Sequence, residues 1–557
     1  MSTHHRLAAS ATVVLTVVLP VAIGTAATVA ISAGLISFSG SPVTGDVAWV
    51  ALWQQPGVYR SLGLSVFTAV AGAALALLIA ATALYATRRF VSAASLQSTL
   101  PVLLSVPHAA FAIGLAFLVA PSGWIARLVS PALTGWTRPP DIATVQDGFG
   151  LALTLGLALK EAPFLMLVLL AALNQVDHRR TLWIGRSLGY DEWQLWWRLL
   201  MPQLYRQIRL PLLVVLAYGL SVVDMARILG PSVPPTFAVQ VTQWLSDPDI
   251  AKWPIGTTGA LVLAATTALL AGLAVGLERA LSRTLRVRRT DGVRARPLAR
   301  RLLGVGLPTA ALVLTCGALA VIVLWSLTWR WRFPSAFPDS ISTAFWVRNL
   351  DAILAPALNT LVLAGASSAL ALVLSVALLE SYQRLPRVWL PALYAPLLLP
   401  QLTFLFGIQS VLAYWRLDGK LVTVVWVHTV FVLPYTLLAL AGYWQAYDQR
   451  LSTVSRTLSK RAWQTALQVK LPMLFRPLCF ALAIGFSVSV AQYLSTLFVG
   501  AGRVPTLTTE AVGIAAGGDR RLVAVLAFVQ MALPLALFAL AFALPAWRHR
   551  HREGMRL

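Results

Sequence analysis

Charge, acid and cysteine are all scarce in this sequence. Asp, Glu, Lys and Arg make up 11% of its 557 residues, where a soluble domain carries about 25%. That shortage excludes an ordinary soluble globular chain. The two cysteines, Cys316 and Cys479, both lie in apolar runs, so no disulfide framework follows from them. No G-x4-G-K-[ST] occurs, and the stretch Asp418-Gly419-Lys420 is a turn between apolar runs, so the chain has no phosphate-cradling loop of its own. H-E-x-x-H, G-x-S-x-G and Cys/His clusters are also missing. A catalytic reading therefore has no residues to rest on, and neither cofactor nor metal is implied.

What is abundant is apolar length: 58% of the residues are hydrophobic. Runs long enough to cross a bilayer, about 20 residues, recur from end to end. Twelve helical spans are predicted near 10–36, 59–87, 98–120, 148–173, 209–230, 256–280, 304–328, 355–382, 389–415, 421–446, 478–500 and 522–546. The fold class is thus all-α and integral to a membrane. The apolar run from Leu7 to Leu35 exceeds the 7–15 residues of a signal-peptide core, so the first span reads as a retained helix. With the N-terminus inside, 30 of the 44 Lys and Arg residues fall on the inner side. This positive-inside pattern places both termini in the cytoplasm. The basic link between spans six and seven, within 282–303, reads as a topology determinant and not as a nucleic-acid contact.

The chain also repeats itself. RSLGYDEWQLWWRLLMPQLYR (Arg186–Arg206) returns 270 residues later as RTLSKRAWQTALQVKLPMLFR (Arg456–Arg476), with Arg186, Trp193 and Pro202 meeting Arg456, Trp463 and Pro472. SVPHAAFAIG (Ser105–Gly114) parallels LLPQLTFLFG (Leu398–Gly407) at an offset of 293. A longer outside loop after span three accounts for the change of offset. The expected organisation is two parallel six-helix units, 1–281 and 304–557, joined by the linker 282–303.

In each unit the polar segment lies between the fourth and fifth spans. Gly189 is suited to end one helix with positive φ, Asp191 to cap the next, and Pro202 to interrupt it before span five. A short helix near Glu192–Leu200 follows, with Trp193, Leu195, Trp196, Leu199 and Leu200 open to apolar packing. By itself such a helix could equally be an interfacial anchor at the lipid headgroups.

These segments resemble the cytoplasmic EAA loop, E-A-A-x3-G-x9-I-x-L-P, of bacterial ABC importer permeases. Gly189, Leu199, Met201 and Pro202 match in the first copy; Val469, Leu471 and Pro472 match in the second, where Ser459 replaces the glycine. The E-A-A triplet is replaced by Trp183-Ile184-Gly185 and Thr453-Val454-Ser455, so the family's glutamate has no counterpart. The whole chain is similar to fused twelve-span permeases of the thiamine and ferric-iron importer type. The resemblance implies a bacterial inner-membrane permease subunit, two copies of a separate ABC ATPase gripping the loops, and an extracytoplasmic substrate-binding protein. Ionisable groups at membrane depth are the candidates for the substrate pathway. They are Lys160 and Glu161 in span four, Asp224 with its possible ion-pair partner Arg227 in span five, and Gln492 at the matching place in span eleven. His108 and Gln401, beside Pro107 and Pro400, complete the set. Each could instead simply bridge helices. The rival classes are an ion-gradient-driven secondary transporter with twelve helices, and a membrane-embedded enzyme, which would need a catalytic cluster the sequence lacks.

Overall fold

The computed structural model describes residues 11–36, 45–88, 91–288, 302–382, 389–458, 462–548 and 550. Helices dominate throughout. A small antiparallel ribbon, β1 (Thr328–Arg330) with β2 (Ser340–Ile341), is the sheet among the described residues. The elements that matter here, in chain order, begin with α1 (Leu19–Ser32), α2 (Val58–Thr87), α3 (Ala93–Ser105), α4 (His108–Val119), α5 (Leu151–Gln175) and α6 (His178–Ser187). They continue with α7 (Met201–Ser221), α8 (Asp224–Leu229), α9 (Trp253–Arg288), α10 (Leu307–Leu327), α11 (Leu350–Ser381) and α12 (Trp389–Leu398). The last are α13 (Leu402–Tyr414), α14 (Leu421–Ala446), α15 (Gln449–Leu458), α16 (Phe475–Ala491), α17 (Leu494–Gly500) and α18 (Arg520–Arg548). The link at 289–301 lies outside the described residues.

Among the described residues nine helices are long and apolar enough to cross a membrane, or up to eleven if each of two bent pairs is one span. The sequence predicts twelve. Helix is present in every predicted segment, but four segments are each two helices meeting at a break. The fifth segment falls short because α7 opens with Gln203, Arg206, Gln207 and Arg209 and stops at Ser221.

Two breaks have a proline. Val106 takes φ −63°, ψ 122°, the extended conformation that the ring of Pro107 imposes on the residue before it, and Pro400 occupies the matching gap between α12 and α13, which are bent by 95°. The other two breaks have none. Val222 (φ −65°, ψ 131°) and Gln492 (φ −72°, ψ 112°) share one extended conformation, and Val223 and Tyr493 after them are both helical. With no local breaker, these bends are held by tertiary contacts.

Helix partners are exchanged along the chain. The first apolar helix packs on α13, and α10 packs on α4. In lipid there is no hydrophobic drive for helices to associate, so close backbone approach decides which pair. A Cβ at Gly407 would stand 1.9 Å from the carbonyl oxygen of Gly24, and one at Gly114 would stand 2.2 Å from that of Ala318. Only glycine allows either crossing.

Candidate functional site

The first polar segment is a helix-turn-helix. Asp177 caps α6 by accepting from the N–H of Arg180. Gly189 then reverses the chain with φ +80°, the conformation expected of it. Asp191 caps the next helix, accepting from Trp193 N, while the Gln194 side chain accepts from Asp191 N, a capping box. The following turn, Leu195–Leu200, is π-helical, with Met201 N bonding to Trp196 O. This wider turn removes the clash that Pro202 would make with the carbonyl four residues back. Pro202 therefore sits in the first turn of α7 and does not interrupt the helix, contrary to expectation.

A second correction concerns what the segment exposes. Trp193, Leu195, Trp196 and Leu200 are buried, and Leu199 is half-buried. Trp193 meets Tyr85 edge-on at 5.2 Å, and the Arg88 guanidinium lies 5.0 Å above Trp196. Arg88 also pairs with Glu192 at 2.7 Å, and Glu192 is shared with Arg186. The exposed apolar residues lie on α6 and its turn: Trp183 (71%), Ile184 (44%) and Leu188 (69%). Gly185, on the opposite side of α6, is the seat of Leu195, whose Cδ2 would lie 2.2 Å from a Cβ there.

The second segment has the same plan with different chemistry. Helix α15 is followed by Ala462–Thr465 and a π-helical turn, Ala466–Lys470, where Leu471 N bonds to Ala466 O directly before Pro472. Ser459 lies outside the described residues, and Arg456 and Trp463 are placed by their helices alone. At the position of Gly185 and Leu195, the hydroxyl of Ser455 donates to Thr465 Oγ1 at 3.2 Å. Val469 is half-buried. Lys470 is buried, pairs with Glu380 at 2.6 Å, and lies 4.2 Å from the centre of the Trp444 ring.

At the centre of the chain the candidate pathway residues are gathered by the helix breaks. Lys160 Nζ donates to Leu104 O (3.2 Å) and approaches Leu103 O (3.5 Å). Those carbonyls are left open where α3 stops before Pro107, at the negative end of its dipole. Glu161 turns the other way, to His108 Nε2 at 3.1 Å, and the His108 ring lies 4.8 Å from that of Tyr218. Both charges of span four are thus taken up by neighbouring helices. Among the described residues no ion pair joins Asp224 to Arg227. Asp224 is buried at the start of α8. Arg227 instead donates to the hydroxyl of Tyr493 at 2.9 Å, so it is Arg227 and Tyr493 that join the two proline-free breaks.

Gln492 does not meet Asp224 through any hydrogen bond among the described residues. Its amide donates to His428 O and its carbonyl accepts from Ser495. The His428 ring bonds Ser489 (2.8 Å) and Thr496 (3.0 Å). Gln401 is half-buried after Pro400, and its carbonyl accepts from Leu405 N. The sequence reading missed Tyr493 and His428. The rule that intramembrane ionisable residues mark function would have raised His428, whereas Tyr493 emerges only from its contact.

Nine or more apolar helices, ionisable groups held between them, and no group of metal-binding residues among those described define a multi-pass helical membrane protein. The chain is 35% identical over 520 residues to the inner membrane ABC transporter permease protein YnjC of Escherichia coli (strain K12), covering 93% of this chain and 94% of that one. No protein-family model matches the chain, and no solved structure matches it. The chain belongs to the inner membrane ABC transporter permeases. It is a transmembrane permease subunit, not an enzyme, and its ATPase is a separate partner.

Proposed function

We propose that the chain is the fused permease of a binding-protein-dependent ABC importer. It comprises twelve spans in two parallel six-helix units, 1–281 and 304–557, which exchange their first helices and are joined by the linker 282–303. Both termini and both loops face the cytoplasm, where two copies of one ABC ATPase grip α6 and α15. A substrate-binding protein delivers cargo on the other side. The observation that carries this reading is that each loop leads through a π-helical turn into a broken span. The first loop runs through its π-helical turn into α7, which ends at the Val222 break; the second passes through its own turn and Leu471–Met473, bends by 72° at Leu474, and continues as α16, which ends at the Gln492 break. Closure of the ATPases on ATP would move the loops together, tilt α7 and α16, and open the pathway outward at those breaks. His108, Lys160, Glu161, Asp224, Gln401 and Gln492 line or brace that pathway.

The fused layout resembles thiamine and ferric-iron importers, and the cargo is read as thiamine-like or ferric iron. Polyamines and anions are the alternatives, separated by identifying what the partner binding protein carries. The coupling itself is tested at Gly189. A Cβ there has open space around it, so Gly189→Val costs only the backbone strain of a β-branched residue at positive φ, roughly 1–2 kcal/mol. The expected outcome is normal membrane insertion with reduced substrate-stimulated ATP hydrolysis in the reconstituted complex. Unchanged coupling in a variant with both loops altered would return the loops to the role of interfacial anchors.

A further inference from the structure

The two loops present unlike faces to what is, on the proposed function, one kind of ATPase, and the inference here rests on that reading. On α6 the exposed residues Trp183, Ile184 and Leu188 form an apolar patch. Arg179 and Arg180 are exposed beside it, as is Arg186, 55% exposed along its side chain. The acidic side chains of the segment are engaged within it: Asp177 and Asp191 as caps, Glu192 between Arg88 and Arg186. At the equivalent positions on α15 stand Thr453 and Val454, both exposed, and Leu458. The second face keeps exposed aliphatic residues, Leu451 and Val454, but the indole of the first is replaced by the hydroxyl of Thr453.

We propose that α6 is the dominant anchor for the ATPase and α15 a weaker, sliding contact. The complementary ATPase surface is an apolar cleft that takes the Trp183 indole and is rimmed by carboxylates facing Arg179, Arg180 and Arg186. Trp side chains concentrate binding energy when they fill a desolvated pocket, whereas exposed hydroxyls contribute little. The arginine rim adds charge complementarity that salt screens.

The test uses the full chain in nanodiscs and the ATPase that co-purifies with it, titrated back after separation. Trp183→Ala is expected to weaken ATPase affinity at least tenfold and Thr453→Ala less than twofold. Thr453→Trp in the Trp183→Ala background should recover most of the loss, and raising the salt should weaken the parent complex. Trp183 and Thr453 are surface positions, and thermal unfolding checks that each variant folds. Equal losses for Trp183→Ala and Thr453→Ala would overturn the asymmetry while leaving the coupling reading intact. No loss from Trp183→Ala combined with Ile184→Ala, Leu188→Ala, Leu451→Ala and Val454→Ala would remove the coupling reading itself. A fluorophore at Trp183→Cys that nanodisc lipid already shields from iodide before ATPase is added would assign this face to headgroups and overturn the proposal.

Discussion

The two repeated segments hold one helix-turn plan with opposite charges. In the first, the cation stands at the end of a span and the acid in the loop: Arg88 follows α2 and meets Glu192. In the second, the acid stands on the span and the cation in the loop: Glu380 in α11 meets Lys470. The seat of the leading helix differs in the same way, with Leu195 against Gly185 in one and a Ser455–Thr465 hydrogen bond in the other. Yet the π-helical turn before Pro202 and Pro472 is the same, because a missing N–H and a ring clash can be relieved in few ways. Backbone devices set by one residue type are retained, while paired side chains are free to exchange roles as long as the pair survives. The loops also lean on distant helices: Gly304, just before α10, faces the Trp193 ring, and Val13 joins the cluster of Leu378, Trp444 and Leu474.

The charge reversal can be broken most sharply at Lys470. Lys470→Ala leaves the half-buried Glu380 without its cation, a loss of about 1.5–3 kcal/mol, read as a fall in unfolding temperature and in membrane level. The double reversal Glu380→Lys with Lys470→Glu should recover part of it, because the ion pair returns while the cation over the Trp444 and Tyr447 rings is lost. Arg88→Glu with Glu192→Arg should recover less, because Glu192 also serves Arg186. Equal recovery in both loops would mean that Arg186 adds nothing to the first pair.

Comparing the two proline-free breaks suggests the next substitution. The Val222 break is tied across the molecule by Arg227 and Tyr493, while the Gln492 break is also tied locally through His428, Ser489 and Thr496. Tyr493→Phe removes one hydroxyl and leaves the ring. The expected cost is about 1–2 kcal/mol, above the ordinary interhelical hydrogen bond because the donor is charged. Uptake should fall while membrane levels stay normal, measured in cells expressing the full transporter; unchanged uptake would make Arg227–Tyr493 a passive brace.

The smallest effect is expected at Ser455. Ser455→Ala loses one neutral hydrogen bond to Thr465, about 0.5–1.5 kcal/mol, and brings the second seat closer to the apolar first one. Thermal unfolding should shift slightly and ATPase coupling should persist. A large loss of coupling would show that the polar seat has a role of its own.

Much of this architecture is written in local chemistry. Apolar length marks the segments, Gly189 and Asp191 announce the turn and cap that appear at those residues, and the repeated Leu-Pro or Met-Pro step marks where each loop joins a span. Such features depend on one residue and its immediate neighbours, so they can be read along the chain. Three expectations failed for the opposite reason. Trp193 and Trp196 look available on a short amphipathic helix, but α2 supplies Tyr85 and Arg88 to cover them. Asp224 and Arg227 have the spacing of a helical ion pair, but the break at Val222 and the approach of Tyr493 direct Arg227 elsewhere. Pro202 should end a helix, but a π-helical turn absorbs it. The packing of α1 on α13 and of α10 on α4 belongs with these. It depends on Gly24 meeting Gly407 and Gly114 meeting Ala318, contacts between residues hundreds of positions apart. In a bilayer, where apolar surface alone does not choose between partners, that close fit of backbones settles which helices pair.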